Sequence, residues 1–464
     1  MVNSHLRQIP YFFFSALLGA LFLSKGYDSF ALAELRCLLV FSTLVLFLVF
    51  ANSDVRLSLR RIPLCFGMFC VFCIYQIIRL GFAYFLSATS NGPDKDVKIV
   101  LVENFTQQPI VWFFCLGTMA LAYVFSASRK RAVGIVSVSI GMVLFLCSLS
   151  LPSLITRGSL SAYDIRLNPF ASDWLYFHPA VEKYLISNRF HANWIGEVLA
   201  VGFFLSISYF IYSFMQFDDE KKMRPIKGQI HLIQILIPAL TIGSSFIAIL
   251  AFNSRGTIIF FLMGVITFIG GCILKYRSRR IFIPCVLIAC LLFLFLKTNI
   301  DFKATLQEVS TLQDEMEEPQ SFAHNIRGAN YAVEMFKENP VWGVGTKGYY
   351  PYRKTFKKTS PQNVYMADYK AMNHYLTILA EEGLGAWFYF LFILVFFIES
   401  VLMLQRTPSR FQFLFGMGFF VPVLMILGHA SISFMLDHVN MSLLLCALMG
   451  ACLGILSPGF RHSK

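Results

Sequence analysis

The chain is built from apolar segments that are each close to the length needed to cross a lipid bilayer. A transmembrane helix needs about 20 predominantly apolar residues. About twelve such stretches can be placed, at about 9–25, 30–51, 63–86, 109–127, 133–155, 191–215, 230–252, 257–274, 281–297, 375–404, 411–433 and 439–458. Lipid offers no hydrogen bonds to the backbone, so only helices and closed barrels can span it. Segments of this length predict an all-α polytopic membrane protein with about twelve transmembrane helices.

The charged residues indicate how these segments are oriented. Positive charge accumulates in cytoplasmic loops of membrane proteins, and here it falls in every second loop. The basic groups are Arg56/Arg60/Arg61, Arg129/Lys130/Arg131, Lys221/Lys222/Arg224/Lys227, Lys275/Arg277/Arg279/Arg280, Arg406/Arg410 and Arg461/Lys464. This distribution predicts that both termini are cytoplasmic. It also explains the net charge of +13 without nucleic-acid binding.

Three larger segments, at about 87–108, 156–190 and 298–374, then lie on the opposite side of the membrane. Only the last is long enough for a small extramembrane subdomain, so the chain divides into three parts. These are 1–297 with helices 1–9, the large loop 298–374, and 375–464 with helices 10–12. Within the large loop, a helix-like run over 329–337 ends at Asn339 and Pro340. All eleven cysteines lie in apolar spans, which indicates neither a disulfide framework nor a cysteine-based zinc site.

Three polar residues stand out on this non-cytoplasmic side. Arg255 occupies the short turn 253–256 between two spans, Arg327 lies in the large loop, and His374 lies where that loop returns to the membrane. A guanidinium at a membrane surface is costly without an anionic partner, and its planar fork suits phosphate oxygens. A histidine nearby can move a proton. Together they suggest a site for a lipid-linked phosphate, although Arg255 could also be part of an ordinary polar turn.

The second half of the large loop is basic and aromatic. Lys347 and Arg353 belong to a run of cations interleaved with tyrosines. Such a run is often a solvated face, and the alternative is a surface that attracts anionic lipid or phosphorylated glycan. The glycine-rich stretch 340–348 lacks the Gly-Lys-Ser/Thr ending of a phosphate loop, so it predicts a tight turn and no nucleotide site.

Four charged residues lie within or near the apolar spans, where charge is expensive in lipid. They are Glu34, Arg36, Arg79 and Glu197. We expect them to face the interior of the helical bundle, either as structural pairs or as the lining of a cavity.

Three motifs on the non-cytoplasmic side resemble elements of the bacterial O-antigen ligase and polymerase superfamily. Arg327 followed by Pro-Val-Trp-Gly-Val-Gly at 340–345 resembles its Arg…Pro-x-x-Gly-x-Gly element. The stretch 373–383, Asn-His-Tyr-Leu-Thr-Ile-Leu-Ala-Glu-Glu-Gly, resembles its His-Asn-x-Tyr-Leu…Glu-x-Gly element. Ser-Arg-Gly at 254–256 matches its arginine turn. Met372 aligns with the family histidine, and His374 stands two residues later.

The resemblance implies a membrane glycosyltransferase that needs no metal, cofactor or nucleotide and acts at the periplasmic face of the inner membrane. Its donor would be a glycan on undecaprenyl diphosphate. Its acceptor would be lipid A–core in a ligase, our leading interpretation, or another lipid-linked repeat in a polymerase. The catalytic residues would be Arg255, Arg327 and His374, and Lys347 and Arg353 would join both arginines in binding substrate. A transporter or flippase of lipid-linked sugars is a third possibility, but the internal repeats typical of transporters are not evident.

Overall fold

In the computed structural model of the chain, the described residues are 62–89, 95–157, 192–221, 228–251, 255–276, 322–345, 348–349, 352, 371, 373–433, 436, 439–458 and 460. The predicted spans 9–25, 30–51 and 281–297 lie outside them, as do Glu34 and Arg36. Within the described part of the chain there are helices and connecting turns but no β-strand, so the prediction of an all-α protein is confirmed there.

The helices follow the predicted apolar segments closely. They are α1 Leu64–Thr89, α2 Lys95–Ser126, α3 Arg129–Arg157, α4 Ala192–Lys221, α5 Gly228–Ala251, α6 Arg255–Tyr276, α7 Phe322–Glu338, α8 His374–Glu382, α9 Gly385–Arg406, α10 Arg410–His429 and α11 Val439–Leu456. The helix predicted at 329–337 is α7, which begins earlier and ends at Glu338 just before Pro340, as predicted.

Among the described helices, four are long and apolar enough to cross a membrane. These spans are Gly196–Met215, Gly256–Tyr276, Gly385–Arg406 and Arg410–His429. Four shorter apolar helical stretches also coincide with predicted spans, at Leu64–Arg79, Val111–Ser126, Ile235–Ile249 and Met441–Leu456. The chain is a membrane protein, and the total of about twelve spans stays a prediction because the described residues do not include all of them.

Two further differences from the sequence prediction concern α2 and the span 375–404. Helix α2 begins at Lys95, so residues 95–108 of the segment predicted to connect two spans are helical. The segment predicted as one span at 375–404 is divided into α8 and α9, with a break at Gly383 and Leu384. Hydropathy detects the apolar part of a helix, whereas helix length and breaks depend on the backbone hydrogen bonds.

Helix α10 is the central helix of the described bundle. Its side chains from 411 to 423 are all buried, and it packs against α4, α6, α9 and α11. A helix that is apolar on every face is stable only when it is surrounded by other apolar elements. Helix α11 in turn lies very close to α2, because Gly450 and Gly454 leave room for the backbone carbonyls of Met119 and Tyr123.

The two ends of this bundle carry different side chains. At one end, the guanidinium of Arg129 lies 5.6 Å from the centre of the Phe411 ring. The ammonium of Lys275 donates a hydrogen bond of 2.8 Å to the carbonyl oxygen of Gln405. This end, which we call the basic end, holds Arg129, Lys275, Arg406 and Arg410. The opposite end, the site end, holds the first residues of α6 and α8 and the last residues of α10.

Candidate functional site

His374 begins helix α8 at the site end. Asn373 caps this helix, since its side-chain oxygen accepts a hydrogen bond of 3.0 Å from the backbone N–H of Leu376. The backbone N–H of His374 donates to the carbonyl of Ala430 at 2.9 Å, and the Asn373 amide donates to the carbonyl of Ser431 at 2.7 Å. The start of α8 is therefore attached to the turn that follows α10.

The imidazole of His374 is buried, with 2% of the residue exposed. Its Nε2 lies 3.4 Å from the hydroxyl oxygen of Tyr389 in α9, which is a long hydrogen bond. The neighbouring Tyr375 donates its hydroxyl to the carbonyl of Leu427 at 2.6 Å. These contacts hold the imidazole between α9 and the end of α10, where it can exchange a proton only with a group that reaches this packed position.

Arg255 begins helix α6 at the same end. It is the first residue of this helix, and the next residue, Gly256, lies directly against the ring of His429. A methyl group at position 256 would overlap the Nε2 atom of His429, so only glycine permits this close approach. His429 immediately precedes Ala430, which holds the backbone of His374. The start of α6, which carries Arg255, and the start of α8, which carries His374, therefore contact two consecutive residues at the end of α10.

His429 forms a buried pair with Glu197 of α4. Its Nδ1 lies 2.7 Å from Glu197 Oε1, and each residue is 1% exposed. The interior position predicted for Glu197 is confirmed, but His429 was not singled out from the sequence. The sequence did indicate that such a partner exists, because an acidic residue within an apolar span needs a polar partner. Which residue supplies that partner depends on the packing of α4 against α10, which the sequence pattern does not specify.

Arg327 lies in α7, which packs along α8. The phenol of Tyr349 donates a hydrogen bond of 2.8 Å to the carbonyl of Gly328, the residue after Arg327. The backbone N–H of Tyr349 donates to Glu381 Oε1 at 3.3 Å, near the end of α8. Tyr349 thus connects the segment that carries Arg327 to α8, the helix that begins at His374.

The glycine-rich segment predicted as a tight turn is confirmed as one. Gly343 and Gly383 both have positive φ angles, of 66° and 56°, a region that side chains with a Cβ rarely adopt. The turn is bonded to the end of α8, because the N–H of Val344 donates to the carbonyl of Ala380 at 2.9 Å. In return, the N–H of Leu384 donates to the carbonyl of Val341 at 3.0 Å. The Pro-x-x-Gly-x-Gly and Glu-x-Gly elements therefore form one backbone-paired unit.

A buried ion pair secures this unit to α1. Arg79 donates to the Glu382 carboxylate and to the carbonyl of Glu381, and Gln76 donates to Glu382 at 2.6 Å. Arg79 and Glu382 are each 1% exposed, which confirms the interior position predicted for Arg79. An isolated charge would be very unfavourable in this position, so the pair and its hydrogen bonds are needed together.

Several predicted site residues lie outside the described residues. These are Lys347, Arg353 and Met372. For Arg255 and Arg327 the structure describes the backbone and not the side chain. Of the tyrosines in the basic aromatic run, Tyr352 donates a hydrogen bond to Glu338 at 2.9 Å. Partial burial raises the pKa of the Tyr352 phenol, which keeps it protonated as a donor to this carboxylate.

Residues 240–391 match a family model described as O-antigen ligase. The matched region is about one third of the chain and contains α6, α7 and α8, with the segments that carry Arg255, Arg327 and His374. The match supports the resemblance to the O-antigen ligase and polymerase superfamily that was noted from the motifs. The match supports a membrane glycosyltransferase of the ligase or polymerase type. No curated protein matches the chain.

Proposed function

We propose that this chain is an O-antigen ligase-like glycosyltransferase. It transfers a glycan from undecaprenyl diphosphate to lipid A–core at the periplasmic face of the inner membrane. The family match supports the reaction class. The observation that carries the site is the convergence of the first turns of α6 and α8 on His429 and Ala430. The two helix starts carry an arginine and a histidine that are 119 positions apart in the chain (374 minus 255).

The proposed reaction is a single displacement at the anomeric carbon of the donor sugar. The acceptor hydroxyl oxygen forms a bond to this carbon while the bond between the carbon and the phosphate oxygen breaks. The electron pair leaves with the diphosphate, whose developing charge Arg255 and Arg327 stabilise. His374 takes the proton from the attacking hydroxyl. The sugar–diphosphate bond supplies the driving force, so this scheme needs no nucleotide, and the configuration of the anomeric carbon inverts.

The location of the site supports the proposed sidedness. The starts of α6 and α8 lie at the opposite end of the bundle from Arg129, Lys275, Arg406 and Arg410. If the basic end faces the cytoplasm, as the distribution of positive charge predicts, the site end faces the periplasm. A lipid-linked donor and a lipid-linked acceptor could then both reach it from the membrane surface.

An O-antigen polymerase is the second candidate. It would use the same donor, and a lipid-linked repeat in place of lipid A–core would be its acceptor. Met372 occupies the family histidine position, and His374 stands two residues later. This difference favours the polymerase as the alternative, because the histidine of the proposed reaction acts on the hydroxyl of the acceptor.

The lipopolysaccharide and lipid-carrier profile of a deletion strain distinguishes these functions. A ligase predicts full-length polymer retained on undecaprenyl diphosphate and absent from lipid A–core. A polymerase predicts single repeats on lipid A–core. Lipid-linked sugars trapped on the cytoplasmic face would instead identify a flippase and contradict both glycosyltransferase functions. Complementation with the wild-type chain, but not with the Arg255→Ala variant, is the matched control.

A further inference from the structure

The buried pair of Glu197 and His429 has no part in the reaction as proposed above. The two side chains come from α4 and α10 and are joined by one hydrogen bond of 2.7 Å. The second carboxylate oxygen of Glu197 is buried and has no hydrogen-bond partner among the described residues. A buried carboxylate with a single described bond is an expensive arrangement that apolar side chains of similar size could replace at lower cost. Its position therefore requires an explanation.

The pair packs against the first turn of the Arg255 helix. His429 fills the space where a side chain at Gly256 would lie, and its ring stacks on Phe260 with 5.8 Å between ring centres. On the Glu197 side, the preceding Gly196 approaches the side chain of Thr257 so closely that a methyl group there would overlap it. His429 and the residue before Glu197 thus both border α6 within its first turn.

We propose that Glu197 and His429 are positioning residues for Arg255, and this inference rests on the proposed function. The hydrogen bond between them fixes the His429 ring, and the ring fixes the backbone at Gly256, one residue from Arg255. The pair adjoins the first turn of α6 through His429, and the positive end of the helix dipole there favours a negative charge. The pair thereby sets the direction from which the Arg255 guanidinium meets the diphosphate. Displacing such a group by about 1 Å can cost about 100-fold in rate.

A positioning role and a general structural role predict different results when loss of the pair is combined with loss of Arg255. If the pair acts through Arg255, its loss weakens binding of the diphosphate only while Arg255 is present. If the pair merely stabilises the bundle, its loss has the same effect with or without that arginine. Mutations that act on one interaction are non-additive, whereas independent mutations are additive.

The test measures binding of undecaprenyl diphosphate to the purified full-length chain in lipid nanodiscs. Glu197→Gln keeps the size of the side chain and removes its charge. We expect it to weaken binding by roughly 10- to 100-fold, the effect of losing about one charge-assisted hydrogen bond. Glu197→Asp keeps the charge and should recover part of this loss. In the Arg255→Ala background, Glu197→Gln should cause no further weakening.

The matched control is Gln412→Met in α10, the helix that carries His429. Gln412 is also buried and donates a hydrogen bond of 2.8 Å to the carbonyl of Ile455. It lies about 25 Å from His429, since an α-helix rises about 1.5 Å per residue. Binding should be unchanged in this variant. If Glu197→Gln does not fold, Glu197→Asp takes its place in the cycle, with a smaller loss expected and the same dependence on Arg255.

The outcomes separate this inference from the proposed function. Wild-type binding in Glu197→Gln, with binding lost in Arg255→Ala, overturns the positioning role and leaves the proposed function in place. An equal loss from Glu197→Gln in both backgrounds also overturns it, because the pair then acts independently of Arg255. Wild-type binding in Arg255→Ala removes the phosphate role of that arginine, and the proposed site fails together with this inference.

Discussion

The basic end and the site end of the helical bundle both contain cationic side chains, but these side chains have different partners. At the basic end, Arg129 and Lys275 each lie over an aromatic ring, and Lys275 also donates to the carbonyl of Gln405. Arg406 at the same end is exposed. At the site end, Arg79 is buried against the Glu382 carboxylate.

The difference follows from the surroundings of each charge. An exposed cation near a membrane surface is stabilised by water and anionic lipid headgroups, and it contributes to orientation. A cation inside the bundle must find its counter-charge within the protein, and this requirement ties it to one geometry. Cations at the basic end therefore bear mainly on sidedness, and those at the site end on the architecture and chemistry of the site. The following experiments test this distinction, from the largest expected effect on transfer to the smallest.

The largest effect is expected at the two predicted phosphate-binding arginines. Arg255→Ala or Arg327→Ala should reduce glycan transfer by about 10³–10⁵-fold, as for other arginines that neutralise phosphate charge during transfer. Lysine at either position should restore little activity, because a point charge does not reproduce the bidentate fork. Transfer by the purified variants measures this.

The matched control for the arginines is Arg406→Ala at the basic end, where the side chain is exposed. Its transfer rate should stay within a few-fold of the wild type. A comparable loss in this variant, or full activity in either lysine variant, would contradict the distinction between the two ends.

The next effect is expected at His374. If this residue is the general base, His374→Ala should lower turnover by about 10²–10⁴-fold and leave donor binding nearly unchanged. Transfer by the wild type should also fall at low pH, where a protonated imidazole cannot accept a proton, and this dependence should vanish in the variant. The measurement is turnover of lipid-linked donor and acceptor across a pH series.

Tyr389→Phe is the companion variant for His374. It removes the hydroxyl 3.4 Å from the imidazole and keeps the aromatic ring. Tyr389→Phe should reduce turnover much less than His374→Ala. Turnover of His374→Ala within a few-fold of wild type would mean that His374 only begins α8, and the base would have to be sought elsewhere.

A different kind of effect is expected at the Arg79–Glu382 pair. Arg79→Met leaves a buried carboxylate without its counter-charge, so the free energy of unfolding should fall by about 3–5 kcal/mol. The Arg79→Met protein that remains folded should transfer glycan at a rate closer to wild type than Arg255→Ala or Arg327→Ala does. Denaturant unfolding in detergent micelles, with transfer measured per folded molecule, separates these quantities.

The double variant Arg79→Met/Glu382→Gln provides the control for this pair. It removes both charges, so it should recover part of the stability lost in Arg79→Met. If Arg79→Met unfolds like the wild type, the buried ion pair is not what secures α8 to α1.

The smallest effect on transfer is expected from cysteines introduced to test sidedness. Cysteines at Ser310 and Thr359 should react with a membrane-impermeant maleimide in cells with a permeabilised outer membrane. A cysteine at Ser278 should react only after lysis. All three variants should retain activity, and the unmodified chain is the control, since its eleven cysteines lie in predicted spans. Labelling at position 278 in intact cells would reverse the orientation and move the site to the cytoplasm.

The amino-acid sequence alone determined the features that depend on neighbouring residues. The apolar segments predicted the helices of the bundle, and Asn339 with Pro340 predicted the end of α7. The glycines at 343 and 345 predicted the tight turn. These features are local because helix formation, turn geometry and membrane insertion depend on the side chains within one segment. The motifs around Arg255, Arg327 and His374 also indicated the resemblance to the superfamily, which the match over residues 240–391 supports.

The tertiary structure alone decided which distant residues meet. Glu197 pairs with His429 across 232 positions, and Arg79 pairs with Glu382 across 303. The sequence indicated that Arg79 and Glu197 face the interior, because a charge in an apolar span needs a partner. It could not name the partners, since these follow from which helices pack together and in what register. The division of the predicted span 375–404 at Gly383 has the same origin, because the break is held by hydrogen bonds to the distant segment 341–345.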